Sequence, residues 1–206
     1  MINKTLLAVA VVLALSSCGN SQKKENEEKS GLGQLVEGAS NLNKFAKSGE
    51  KLKEQTEKLK KLTPATTEEL KAVVPENVGD FKRKSYSAGG TVADIVAADA
   101  EYAKEDNKTI HVSILDGAGE SGSAVVSLLA MGLSMQTESE SNGTVSKNID
   151  VDGVRYSTED TKNGTTVSSS LKFIYKERYA VTLQGEGYSL SDLQDFLKKL
   201  DLSSLK

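Results

Sequence analysis

The 206-residue chain has no tryptophan, one cysteine, one histidine and two prolines, and only 5% of its residues are aromatic. With Cys18 as the single thiol, no disulfide can form within one chain. With His111 as the single imidazole, neither a Cys-His pair nor a His-rich zinc site can be assembled. A Ser-His-Asp triad would need a serine that nothing here singles out, and His111 alternates with Ile110, Val112 and Ile114 as an ordinary strand residue does. Basic excess is also missing. Twenty-six Lys and Arg face 29 Asp and Glu, for a net charge of −3, which argues against a nucleic-acid partner. The longest apolar run without interruption, Leu6 to Leu15, rises only about 15 Å as a helix, half of the roughly 30 Å hydrocarbon core. A hydrophobic content of 37% supports one moderate core with polar extensions rather than two large domains.

What is present starts at the amino terminus. Asn3 and Lys4 precede the apolar run, and Ser16-Ser17 supply the small residues that a processing peptidase requires. The stretch Leu15-Ser16-Ser17-Cys18 resembles the lipobox of bacterial lipoproteins. That resemblance implies removal of residues 1–17 as a signal peptide, diacylation of Cys18 on sulfur, often a further acyl chain on its nitrogen, and attachment of the mature protein to a membrane. Two or three chains make such an anchor nearly permanent, at about 0.8 kcal/mol per buried methylene. Gly19 rather than aspartate after the cysteine implies, by the enterobacterial sorting pattern, the outer membrane with the protein facing the periplasm. The bland alternative for Cys18 is a small residue of an ordinary signal peptide or a free thiol.

Residues 18–31 mix both signs of charge and offer nothing apolar to drive folding, so a disordered tether is expected, about 45 Å at full extension. From 32 to 63 the residues Leu32, Leu35, Val36, Leu42, Phe45, Leu52, Leu59 and Leu62 recur at helical spacing. Gly38 and Ser48-Gly49 interrupt that pattern, which predicts a helical stalk in one or two pieces. Either it binds a partner as a coiled coil, or it is docked on its own domain or only partly ordered. Glycine and threonine at several heptad core positions favour the second reading.

The remaining residues, 64–206, read as one domain. Thr66 with Glu69 forms a capping box opening a short helix that Pro75 stops. Strands are expected at Phe81–Ser87, Thr109–Leu115 and in four runs from Val145 to Leu183, with Asp152-Gly153 and Asn163-Gly164 as hairpin turns. Thr91–Lys104 alternates like a strand, although its alanines also suit a helix, and a hairpin into Thr109 selects the strand. Ser189 caps a final amphipathic helix carrying Leu190, Leu193, Phe196 and Leu197. The class is α+β, a mainly antiparallel sheet with packed helices. The layout from Val151 to Phe196 is similar to the PsbP/Mog1-like folds of small exported proteins, a likeness that carries no functional residue with it.

Three motifs invite chemistry. Gly117-Ala-Gly119-Glu-Ser-Gly122 matches G-x-G-x-x-G between a strand and a helix, but hairpins follow instead of a parallel strand, and Glu120 would place a carboxylate in the phosphate cradle. Asp150-Val-Asp152-Gly153 starts like a calcium loop and lacks its closing glutamate. Lys82-Arg83-Lys84 suits an edge strand that resists pairing more than a lipid contact. The remaining feature is Ser123–Met135, a helix apolar nearly all round. It reads first as a buried core helix, and otherwise as a lid over an apolar ligand touched by Val125, Leu128, Leu129, Met131 and Met135. No residue is assigned to catalysis, cofactor or metal. The expectation is a membrane-anchored, non-enzymatic binding module with an envelope protein as partner; a carrier or sensor of an apolar ligand is the alternative, and an enzyme has least support.

Overall fold

The computed structural model describes residues 48–90 and 95–206. Most of the order within them comes from tight reversals. Strands that follow one another closely in the chain pair most directly through turns of two or three residues, which favour positive φ. Asn142-Gly143 (52° and 77°) and Asp152-Gly153 (51° and 78°) supply it, and Lys176-Glu177 (49° and 56°) adopt it without glycine.

The strands are β1 (Asn77–Val78), β2 (Phe81–Gly90), β3 (Val96–Glu105), β4 (Lys108–Asp116), β5 (Glu138–Ser141), β6 (Thr144–Val151), β7 (Val154–Asn163), β8 (Thr166–Tyr175) and β9 (Tyr179–Glu186). They form one antiparallel sheet in the order β1-β2-β3-β4-β9-β8-β7-β6-β5. Four helices accompany it among the described residues: α1 (48–60), α2 (Thr67–Ala72), α3 (Gly119–Ser134) and α4 (Leu190–Leu197). The α+β class with a dominant antiparallel sheet is therefore as expected. Residues 1–47, with Cys18, the tether and the first half of the expected stalk, lie outside the described residues, as do 91–94.

The main core lies on one face of the sheet. Ala98, Ala100 and Tyr102 of β3, Ile110, Val112 and Ile114 of β4, Val181 and Leu183 of β9, and Leu171 and Phe173 of β8 all point there and are buried. α2 and α4 cover them through Leu70, Leu193 and Phe196. The ring of Phe196 meets Phe81 at 5.1 Å and Tyr102 at 5.3 Å in edge-on contacts. Both covering helices start in capping boxes, Thr66 with Glu69 and Ser189 with Asp192. The chain end is pinned to the same core by Leu200, Leu202 and Leu205.

α1 and α3 occupy part of the opposite face. Leu59 of α1, 3% exposed, packs with Val126 of α3 and Ala180 of β9, and Leu115, Leu129 and Ile174 surround them. Thr56 Oγ1 and Ser127 Oγ share a 2.6 Å hydrogen bond between the two helices. The described part of the stalk thus rests on the sheet, the docked alternative of the two.

Two strands depart from expectation. β5 falls in the polar stretch 136–143, expected to be a connection, because the turn at Asn142-Gly143 hands it the backbone of β6 to pair with, although every residue of β5 is exposed. β1 is a two-residue strand at the far edge, too short to show a pattern.

Candidate functional site

The G-x-G-x-x-G turn is explained by packing. A Cβ on Gly122 would sit 2.4 Å from the carbonyl oxygen of Asp116, and one on Gly117 would sit 2.5 Å from the carbonyl oxygen of Arg178. Both positions require glycine so that α3 can start directly on the sheet. Behind them the buried Asp116 carboxylate takes four hydrogen bonds. Ala65 N–H donates at 2.7 Å, Ala118 N–H at 3.0 Å, and Arg178 Nε and Nη2 at 2.7 Å each. One carboxylate joins the α1–α2 connection, the start of α3 and the β8–β9 turn, and its four acceptor sites are filled. Aspartate holds the Arg178 guanidinium above its usual protonation range against the opposing effect of burial.

α3 is less buried than its composition predicts. Only Gly122, Ser123, Val126 and Leu133 are buried, whereas Leu128 is 65% exposed, Met131 45% and Met135 49%. The apolar part of the sheet beneath it is small, limited to Leu115, Ile174 and Ala180, so it can cover one side of the helix, and among the described residues no element lies over the other. Leu128 and Met131, three apart, share the outer face of the helix, and exposed Met135 follows as its C-cap residue with an extended backbone. Val125 and Leu129 are half-buried, with Leu129 on the sheet side. The five residues expected to line a ligand cavity thus divide, and three of them form an exposed surface. Asn148 of β6 pins the end of this helix by donating to the carbonyls of Gly132 (2.9 Å) and Met135 (2.8 Å).

Beyond α3 the same sheet face is open and polar. Cross-strand register aligns Glu101, His111, Gln184, Ser170, Glu159, Ser146 and Ser139 in one row. A second row runs Asp99, Ser113, Thr182, Lys172, Ser157 and Asn148. His111 Nε2 lies 3.6 Å from Asp99 Oδ1, both half-exposed. Between β7 and β9 the face deepens into an open groove of about 240 Å³, lined by Glu159, Thr161, Ser168, Ser170, Gln184 and Glu186. Ser170 is 8% exposed, and its Oγ has no hydrogen-bond partner among the described residues. Glu159 and Glu186 have no ion pair among the described residues.

The other sequence candidates take structural places. Asp152-Gly153 is the β6–β7 turn, not a cation loop, and among the described residues no cluster of three or more His, Cys, Asp or Glu could hold a metal ion. Arg83 donates to the Val74 carbonyl and stacks 4.1 Å over the Tyr86 ring, while Lys82 and Lys84 stay exposed. Sequence reasoning missed both the Asp116–Arg178 pair and the groove. An acidic residue closing an apolar strand was the only available signal for the first, and the second depends on strand register alone.

No family model, no curated protein and no solved structure matches this chain.

Proposed function

We propose that this protein is a lipid-anchored component of the bacterial cell envelope, held on the outer membrane through Cys18 and facing the periplasm, that works as a non-enzymatic binding module. The tether of residues 18–31 carries the domain clear of the headgroups, and the outer stripe of α3 receives an apolar surface of another envelope protein. One observation carries the reading. Leu128 and Met131 stand exposed on one face of a helix, with Met135 exposed at its C-cap, and the opposite side of that helix is firmly seated on the sheet. An apolar stripe on a rigid support is the form that helix-in-groove recognition uses, and methionine adapts to the shape it meets.

A photo-reactive amino acid at position 128 of the lipidated protein, activated in intact cells, tests this. The expected product is a discrete adduct with one other envelope protein that Met131→Lys abolishes while circular dichroism stays unchanged. An adduct at twice the mass of the chain, or adducts with lipid alone, would replace the partner protein by self-association or by the bilayer surface.

A further inference from the structure

We propose that the groove between Glu159 and Glu186 is a binding site for a ligand bearing two protonated amines. The inference is independent of the α3 stripe, which lies toward the other end of β8 and β9, beyond the row of Lys172 and Thr182.

The chemistry of the lining selects the ligand. Glu159 and Glu186 accept hydrogen bonds and carry negative charge, and no lysine or arginine lines the groove, so an anion is repelled. No aromatic ring lines it either, which leaves a sugar ring or an apolar ligand without a stacking surface. An ammonium group offers three donors and no acceptor. It matches the carboxylates, with the oxygens of Ser168, Thr161 and Gln184 beside them. Glu159 on β7 and Glu186 on β9 flank β8, and two strand spacings separate them laterally by about 10 Å. One ammonium therefore sits at each carboxylate, with the linking chain lying across β8. An open volume of about 240 Å³ suits a short linear molecule of this kind.

Ser170 supplies the second, independent observation. It pairs with Glu159 on one side and Gln184 on the other, at the floor of the groove. More than nine-tenths buried, its hydroxyl has no hydrogen-bond partner among the described residues. Buried polar groups are normally paired, and one left unpaired at the floor of an acidic groove is relieved by a bound donor.

The test is a titration of the isotope-labelled full-length chain in uncharged detergent with 1,5-diaminopentane, followed by backbone amide shifts. Shifts confined to residues 159–161, 168–170 and 184–186 are expected. Glu159→Gln with Glu186→Gln should weaken binding about tenfold or more, Ser170→Ala less, and pentylamine should bind about tenfold more weakly than the diamine. Affinity should fall as salt is raised toward 0.5 M. Both glutamates are exposed, and the dispersion of the same spectra reports whether each variant is folded. The proposal is overturned if the diamine shifts no groove residue, or shifts Asp99 and Glu101 equally. It is also overturned if calcium or a disaccharide moves the groove amides where the diamine does not.

Discussion

Arg178 grips Asp116 with both carboxylate oxygens engaged, Nε on Oδ1 and Nη2 on Oδ2, while the same Nη2 reaches the Thr63 carbonyl at 3.1 Å. The carboxylate is fully buried and the guanidinium 15% exposed. Removing one partner of such a pair strands the other. Asp116→Ala should cost about 3–5 kcal/mol in urea unfolding, and Asp116→Leu with Arg178→Met markedly less than the sum of the single changes.

Two glycines of α3 should respond in opposite directions. Gly122→Ala pushes a methyl against the Asp116 carbonyl and should destabilise by about 1–3 kcal/mol despite alanine's helix preference. Gly132 has nothing within 4 Å of the added methyl, so Gly132→Ala should stabilise by about 0.5–1 kcal/mol. Equal effects in thermal unfolding would mean that α3 does not sit as described.

Leucines on the two sides of the helix pair differ in the same way. Leu59→Ala should cost about 2–5 kcal/mol, since the side chain is 3% exposed and its loss leaves a cavity. Leu128→Ala, at 65% exposure, should stay within about 0.5 kcal/mol of the parent chain. Any loss of complex formation by that variant then reports the surface and not the fold.

Stability should fall at both ends of the pH scale. The Thr66 backbone N–H, helped by Lys206, lowers the Glu69 carboxyl from about 4.5 to about 2, and the Ser189 hydroxyl and N–H lower Asp192 as well. Groups lowered on folding stabilise above their unfolded values, and that contribution is lost as pH drops from about 4.5 toward about 2. Burial raises the Tyr102 phenol from about 10 to about 12, so its contribution is complete below pH 10 and is lost as pH rises through 12. Urea midpoints measured from pH 2 to 12 check both limbs. Glu69→Gln, which removes the titrating carboxyl, should flatten the acid limb and leave the alkaline one unchanged.

Cys18→Ser should abolish incorporation of labelled palmitate and release the protein from the membrane fraction. Retention of label would place the acyl group elsewhere.

The elements were legible where side chains alternate or caps repeat. Ile110, Val112 and Ile114 announce β4, and Thr66 with Glu69 or Ser189 before Leu190 marks where helices begin. β5 was not legible, because its Glu-Ser-Glu-Ser sequence gains its order from backbone pairing alone. The existence of α3 could be read and its burial could not, since an all-round apolar helix does not say how wide a surface awaits it. Asp116 and Arg178 stand 62 residues apart, and Glu159 meets Ser170 and Gln184 only through the register of three strands. Such juxtapositions are properties of the assembled sheet, and no spacing along the chain encodes them.

All neighbours in the sheet are also neighbours in sequence, apart from β4 and β9. β1 to β4 form one meander and β5 to β9 another, each pairing strands consecutive in the chain, while joining β4 to β9 closes a loop of about sixty residues. Assembly therefore has a natural order, with two half-sheets first and the seam afterwards. The groove around Ser170 belongs wholly to the second half, whereas the Asp116 carboxylate clasps one half to the other. Until that seam closes, β4 and β9 each present a bare row of peptide groups to any other strand. The clasp that fastens the native sheet is thus also what keeps those two strand edges covered by each other.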